Sequence, residues 1–194
     1  MRKLAVFSSG NGTNAENLIR FFLKDGSAAV HLIVTNNPGA GVIQRAKSLG
    51  VPVFVFPENW MNEGDKLALW LENNGIDLIV LSGYLKKIPV GLIAAYHDKI
   101  INIHPALLPK FGGKGMYGIN VHKAVLEAGE KESGISIHLV NEKYDDGRII
   151  AQYPLSLSGI STAEDLAREI HQLEYRYFPL VVRDYLNQIF SSSK

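Results

Sequence analysis

The sequence predicts a doubly wound α/β fold, with a mainly parallel sheet flanked by helices, and two features of residues 1–105 predict it. Short apolar segments rich in strand-forming residues alternate with longer segments whose hydrophobic residues have helical spacing. The apolar segments carry hydrophobic side chains at consecutive positions, as strands do when helices cover both faces of a sheet. Right-handed crossovers would then place ligands beyond the carboxyl ends of the strands.

Residues 3–9 (KLAVFSS) form the first predicted strand, which ends at Gly10, and residues 14–24 form the first predicted helix. The same alternation continues along the chain. Further strands are predicted at 28–36, 51–56, 77–83 and 99–105, with helices at 41–50 and 65–75 and a loop followed by a helix within 84–96.

The pattern changes after residue 105, where a glycine-rich stretch (111–118) interrupts the alternation. Beyond it we predict a helix, an antiparallel pair of strands joined by the segment EKYDDG, and a last amphipathic helix bent near Pro179. The predicted ranges are 120–129 for the first of these helices, 134–141 and 148–157 for the strands, and 163–186 for the last helix.

The 194 residues are 46% apolar and 20% charged, which is typical of a compact domain. We expect one domain over 1–194, made of a nucleotide-binding-like half (1–105) and a second half (106–194). The 20 basic and 19 acidic residues nearly balance, so we expect no nucleic-acid partner and no membrane partner. The chain has no cysteine, signal segment or spanning segment. We expect a cytoplasmic monomer or homodimer.

The segment SSGNGTN (8–14) places two glycines between the first strand and the first helix. Backbone N–H groups and the helix dipole can bind a phosphate at such a turn. The segment is not a Walker loop, and Glu16 stands where a dinucleotide fingerprint would have its third glycine. Phosphate binding and a tight turn capped by Asn14 both remain open from these residues alone.

Asn102 and His104 project from the same face of the strand at 99–105, whose other residues are mostly isoleucine. Buried amide and imidazole groups cost about 1 to 3 kcal/mol each unless they are hydrogen-bonded. Their place at the carboxyl end of the strand favours a cleft over a satisfied core histidine. A carboxylate from the later segment, Asp145, could raise the imidazole pKa and orient the ring. Asp145 also fits an ordinary Asp-Gly hairpin turn.

Four segments in this order, SSGNGTN, LSGYLKKIP, NIHPALLPKF and GISIHLVNEKYDDG, resemble those of the folate-dependent formyltransferases. The resemblance covers about residues 3–180, and it is specific to the branch that formylates glycinamide ribonucleotide in purine biosynthesis. It implies a Rossmann-like fold and direct transfer of a formyl group from 10-formyltetrahydrofolate, a cosubstrate, to a primary amine. It implies no metal and no covalent enzyme intermediate, and small molecules as the partners.

The resemblance also implies the catalytic residues, which are Asn102, His104 and Asp145. Asn102 would donate a hydrogen bond to the oxyanion that forms when the amine attacks the formyl carbon. Asp145 would orient His104 and hold it protonated or nearly so. His104 would stabilise the same oxygen and shuttle protons toward the departing folate nitrogen, through a water held by Ser136.

The remaining implied residues bind the two substrates. Gly12, Thr13 and Asn14 would cradle the 5′-phosphate of the ribonucleotide at the helix N-terminus, and Glu174 would bind the ribose hydroxyls. The folate pterin would lie between two loops and contact mainly their main-chain groups. The residues concerned are Leu85, Lys86, Ile88, Val140 and Asn141.

Four features depart from the family pattern. His171 stands where the family often has glutamine, Tyr175 where it often has histidine, and Arg148 where it has proline. The segment 112–120 is longer than the usual turn, and it could be a flap over the substrate or a surface loop.

Other functions fit parts of this sequence. The tRNA formyltransferases usually add a basic C-terminal domain and the formyl-folate deformylases an N-terminal regulatory domain, so the chain length argues against both. A non-catalytic nucleotide-binding module is a further alternative. His31 and His97 are isolated, and we expect His122 to face solvent or the cleft. A metal site built from His104, His122 and His138 lacks the usual ligand spacing.

Overall fold

The structure is a computed structural model that describes residues 1–57 and 63–191. Seven strands and six helices are found in these residues. The strands are β1 (Arg2–Phe7), β2 (Ala28–Thr35), β3 (Val53–Val55), β4 (Leu78–Leu81), β5 (Ile100–His104), β6 (Glu132–Leu139) and β7 (Ile149–Ser156). The helices are α1 (Thr13–Asp25), α2 (Gly41–Ser48), α3 (Gly64–Asn73), α4 (Val90–Ala95), α5 (Ile119–Glu127) and α6 (Ala163–Ser191).

The strands form one sheet in the order β3-β2-β1-β4-β5-β6-β7. The pairs from β3 through β5 are parallel, and β6 pairs antiparallel with both β5 and β7. The order reverses at β1, with β2 on one side and β4 on the other, so the sheet is doubly wound as predicted. The carboxyl ends of β1 and β4 therefore flank the crevice in which such folds bind ligands.

Hydrophobic packing covers both faces of the sheet. Along β1, Leu4 and Val6 belong to the cluster packed against α1 and α6, while Ala5 and Phe7 belong to the cluster packed against α3 and α4. All four side chains are fully buried. This explains why the strand is apolar at consecutive positions and does not alternate.

The predicted elements are all found, with ends that differ by a few residues. The antiparallel pair β6–β7 is confirmed. The last helix extends to Ser191 and not to 186, with Pro179 inside it. Within the described part of the chain, no helix is both long and apolar enough to cross a lipid bilayer.

Candidate active site

A cleft of about 850 Å³ opens at the carboxyl ends of β1, β4 and β5. Several parts of the chain meet around it. The loop from β1 to α1 lies at one end, the loops that follow β4 and β6 lie at the other, and β5 forms the floor between them. Because the strand order reverses at β1, the loops after β1 and β4 form different ends of the cleft. Polar side chains of β5 line the region between them.

Asn102, His104 and Asp145 meet at the centre of the cleft. Nδ2 of Asn102 lies 3.5 Å from Oδ1 of Asp145, and Nδ1 of His104 lies 3.5 Å from Oδ2 of the same carboxylate. The side chains of His104 and Asp145 are 4% and 11% exposed, so their contact lies largely away from water. The structure therefore brings together three residues that are separated by up to 43 positions in the sequence.

Opposing effects act on the charge of His104, which the sequence led us to expect protonated or nearly so. Burial lowers the pKa of His104 below the usual 6.5, although the Asp145 carboxylate and the Phe111 carbonyl both act to raise it. Nε2 of the ring donates to the Phe111 carbonyl at 2.8 Å, because a carbonyl oxygen can only accept. In the neutral form of the ring, the proton is therefore on Nε2, and Nδ1 is the atom that would take up a proton beside Asp145.

Asp145 is held in place by a close contact between its loop and β6. A Cβ on Gly147 would lie 1.8 Å from the Leu139 carbonyl oxygen, so only glycine lets the backbone approach this near. The N–H of Gly113 donates to Oδ2 of Asp145 at 2.9 Å. Burial acts to raise the pKa of Asp145, but the neighbouring imidazoles and this N–H outweigh it and hold the pKa below 3.8.

Ser136 does not face the cleft, so the expected water held by its hydroxyl needs correction. The side chain is fully buried, and its Oγ donates to the Ala106 carbonyl at 2.7 Å. It also accepts hydrogen bonds from the N–H of Leu108 at 2.9 Å and from Nε2 of Gln152 at 2.8 Å. Its hydrogen bonds hold the loop that follows His104, and Ser136 supports the site through that loop.

His138 also lies at the centre of the site, although its residue type and position in the sequence had suggested only a possible metal ligand. Its ring is 2% exposed, with Nε2 3.0 Å from Nδ2 of Asn102 and 3.6 Å from Oδ1 of Asp145. The antiparallel register places His138 directly opposite Asn102. The register could not be read from the sequence, although the alternation of Ser136 and His138 in a buried strand was a signal for it.

The other end of the cleft contains a buried carboxylate. Glu174 on α6 is 6% exposed, and its Oε2 accepts a hydrogen bond from Nδ2 of Asn14 at 2.7 Å. Burial raises the pKa of Glu174 to about 7, and the bond from Asn14 offsets only part of that shift. Gly12 and Thr13 line the same end. All four residues expected to bind the ribonucleotide therefore lie together.

The loop before α1 is fixed by hydrogen bonds to its neighbours. The Gly10 carbonyl accepts from the N–H of Val42 at 3.1 Å, and the Asn11 carbonyl accepts from Nε of Arg45 at 2.9 Å. Gly12 is the residue before the helix, with φ of 76°, and among the described residues no side chain caps it. The first N–H groups of α1 therefore point into the cleft and can bind an anion.

The opposite end is formed by the loops after β4 and β6. They lie close to the first loop, since the N–H of Leu85 donates to Oγ of Ser9 at 3.1 Å. Ile88 is buried, whereas Leu85 is 49% exposed at the edge of the cleft. The five residues expected to contact the folate all line this end, namely Leu85, Lys86, Ile88, Val140 and Asn141.

The formyl transferase family profile matches residues 2–182, nearly the whole chain. The chain belongs to the formyl transferase family.

Among relatives in this family, a chloroplastic phosphoribosylglycinamide formyltransferase from Arabidopsis thaliana is 47% identical over 188 residues, which cover 93% of this chain and 64% of that protein. A phosphoribosylglycinamide formyltransferase from Bacillus subtilis is 38% identical over 191 residues. This alignment covers 96% of this chain and 95% of the Bacillus subtilis protein. The chain spans less than two thirds of the Arabidopsis protein and of a similar one from Vigna unguiculata.

Crystal structures support the same family fold. That of phosphoribosylglycinamide formyltransferase from Bacillus halodurans superposes with a TM-score of 0.84 at 34% identity, with 97% of each chain covered. The crystal structure of glycinamide ribonucleotide transformylase 1 from Geobacillus kaustophilus superposes with a TM-score of 0.82 at 38% identity. The superposition covers 94% of this chain and 97% of the Geobacillus chain.

The structure places all four departures from the formyl transferase pattern. His171 and Tyr175 line the cleft near Glu174. Arg148 lies outside the cleft lining formed by the described residues, and its side chain hydrogen-bonds that of Tyr185. In the long segment 112–120, residues 113–118 line the cleft, so this part of the chain is a wall of the site.

The remaining histidines differ in their surroundings. His31 is exposed, and the side chain of His97 is 81% exposed. His122 is 3% exposed and lines the cleft, so it does not face open solvent. Over residues 1–57 and 63–191, no group of three or more His, Cys, Asp or Glu side chains is arranged to hold a metal ion.

Proposed function

We propose that this protein transfers the formyl group of 10-formyltetrahydrofolate to the amine of glycinamide ribonucleotide, in de novo purine biosynthesis. One observation carries the proposal. A single cleft has a free helix N-terminus at one end, two loops with apolar and main-chain surface at the other, and Asn102, His104 and Asp145 between them. The relatives named phosphoribosylglycinamide formyltransferase support this choice of acceptor.

The reaction forms a bond between the substrate nitrogen and the formyl carbon and breaks the bond from that carbon to the folate nitrogen. The amine loses one proton and the folate nitrogen gains one. The formyl oxygen carries negative charge in the intermediate, and a donor fixed in advance lowers the barrier by a few kcal/mol. Asn102 supplies that donor, because its amide nitrogen has a long contact of 3.5 Å to Asp145 that a substrate oxygen can replace.

His104 acts as the base in this scheme. The neutral ring has its lone pair on Nδ1, and a proton taken there would lie between the ring and Oδ2 of Asp145, 3.5 Å away. The Phe111 carbonyl already accepts from the other nitrogen. The resulting cation would therefore have an acceptor at both nitrogens, and Asp145 would stabilise it electrostatically.

The phosphate of the ribonucleotide binds at the N-terminus of α1, where Gly12, Thr13 and Asn14 lie. Glu174 accepts hydrogen bonds from the ribose hydroxyls. The folate lies across Leu85 and Ile88 and against the loop after β6. The expected residues all line the cleft, which supports this arrangement.

The assay that tests the proposal compares three acceptors, namely glycinamide ribonucleotide, methionyl initiator tRNA and water, with 10-formyltetrahydrofolate as the donor. We expect product only with the ribonucleotide. Formyl-methionyl-tRNA or free formate as the main product would replace this function with that of the other formyl-folate enzymes. No product with any acceptor would favour a non-catalytic module.

Asn102→Ala should lower kcat at least about 100-fold, because the oxyanion loses its donor. The thermal midpoint should change little, since Asn102 is only half-buried. Asn187→Ala, at an exposed position on α6, is the matched control and should leave kcat unchanged. Unchanged turnover in Asn102→Ala would remove this residue from the mechanism.

A further inference from the structure

His138 on β6 is the cross-strand neighbour of Asn102 on β5, and both ring nitrogens of His138 have partners. Nδ1 lies 2.7 Å from the carbonyl oxygen of Leu139, and Nε2 lies 3.0 Å from Nδ2 of Asn102. The ring is 2% exposed, so water does not compete for either nitrogen. The scheme proposed above gives this buried imidazole no role.

The chemistry of the two partners fixes the hydrogen atoms. A carbonyl oxygen only accepts, so Nδ1 of His138 carries the proton and donates to Leu139. With that proton on Nδ1, the neutral ring carries its lone pair on Nε2, which accepts from Nδ2 of Asn102. Hydrogen bonds therefore run in one direction, from Asn102 through the ring to the backbone of β6, and every donor has an acceptor.

This arrangement determines which way the Asn102 amide faces. The amide nitrogen has two hydrogens, and one is used by His138. The second is directed toward Oδ1 of Asp145 at 3.5 Å, the long limit of a hydrogen bond, so a substrate oxygen can take it. A rotation of the amide by 180° would place its oxygen against the Nε2 lone pair, and two acceptors in contact repel each other.

We propose that His138 is a positioning residue, which orients the Asn102 amide through Nε2 so that its remaining N–H is presented to the formyl oxygen. The inference rests on the formyl transfer proposed above. His138 itself touches neither substrate in this scheme. Its effect passes through Asn102, whose side chain would otherwise rotate between two orientations, only one of which offers a donor.

Two replacements of His138 distinguish the effect of its hydrogen-bond acceptor from the effect of its ring. His138→Phe keeps a ring but has no acceptor, whereas the carbonyl oxygen of the side chain in His138→Gln can accept from Asn102. We expect the Phe variant to lower kcat about 10- to 100-fold, with KM for both substrates within about twofold. The Gln variant should recover most of that loss. His31→Phe, at an exposed site, is the matched control and should match the wild type.

A double-mutant cycle decides between a positioning role and a structural one. Because His138 acts through Asn102, adding His138→Phe to Asn102→Ala should lower kcat no further. Losses that multiply would overturn the inference. Full coupling of His138→Phe to Asp145→Asn, with none to Asn102→Ala, would also overturn it, since the effect would then pass through the carboxylate.

A measurement without turnover tests the same geometry. Nitrogen-15 NMR of the imidazole distinguishes a protonated nitrogen from a bare one, and we expect a protonated Nδ1 and a bare Nε2 on His138. A bare Nδ1 would overturn the inference even in an active enzyme. If the wild type transfers no formyl group to any acceptor, the proposed function fails, and this spectrum still reports whether His138 accepts from Asn102.

Discussion

Three buried histidines line the cleft, and their nitrogens differ in what they face. His104 has an acceptor at each nitrogen, and His138 has one acceptor and one donor. Nδ1 of His122 is buried without a hydrogen-bond partner among the described residues. The same side chain can thus serve as the proposed base, as the proposed positioning group or as a residue of the cleft wall, because the neighbours differ.

The unpaired nitrogen of His122 makes a prediction about stability. Burial lowers the pKa of His122 to about 4, with smaller contributions from His171 and His104. An unfolded histidine titrates near 6.5, so the folded protein loses stability as the pH falls from about 6.5 to 4. His122→Phe removes that loss. The free energy of unfolding of His122→Phe, relative to the wild type, should therefore be about 2 kcal/mol higher at pH 5 than at pH 8.

Urea denaturation at the two pH values measures this difference. His31→Phe, at an exposed position, should show no comparable dependence on pH. An equal effect of His122→Phe at pH 5 and pH 8 would mean that the histidine is accessible to protons in the folded state.

At the scale of elements, the turn between β1 and α1 depends on one glycine. Gly12 has φ of 76°, and a Cβ there would lie 2.4 Å from Cγ2 of Val42 and 2.7 Å from its Cα. The backbone of α2 therefore packs directly on the turn. This contact holds the helix N-terminus at the end of the cleft, where an anion would bind.

Gly12→Ala should raise KM for the ribonucleotide at least about 10-fold and lower the free energy of unfolding by about 1 to 3 kcal/mol, because the turn must move away from Val42. KM for the folate should change less. Gly10→Ala is the matched control, since a Cβ there meets nothing within 4 Å. Steady-state kinetics of both variants make the comparison, and equal KM values would show that the turn does not bind the phosphate.

At the scale of the whole molecule, the buried Glu174 carboxylate costs stability in the free protein. Its folded pKa of about 7 exceeds the usual 4.5, so the folded state binds more protons than the unfolded state between these values. Stability therefore falls as the pH rises from about 4.5 to 7 and stays low above that. The dependence has the opposite sign to that of His122.

Glu174→Gln should raise the free energy of unfolding, by about 2 to 3 kcal/mol more at pH 8 than at pH 5. The amide keeps an oxygen that can accept from Asn14. The same variant should bind the ribonucleotide more weakly, because a neutral amide is a poorer acceptor for the ribose hydroxyls. Denaturation curves and KM values measured on one preparation test both effects. A variant less stable than the wild type at pH 8 would contradict the pKa.

Most of the fold could be predicted from the sequence, because strands buried on both faces have a distinctive apolar pattern. The meeting of Asn102, His104 and Asp145 came from the family resemblance and not from spacing. The lowered pKa of His104 and the buried hydrogen bonds of Ser136 could not be predicted, since both depend on burial and on partners in distant segments. The contact of His138 with Asn102 depends on the register between β5 and β6, which the sequence does not reveal.

The register of β5 with β6 also bears on how this chain can change in length. Because side chains alternate along a strand, deleting one residue within β6 would turn His138 away from Asn102 and replace it with a neighbour from the opposite face. Insertions between the two strands leave that pairing intact. The long stretch around 112–120 lies in this permissive interval, so natural lengthening or shortening can reshape the wall of the cleft without misaligning its floor.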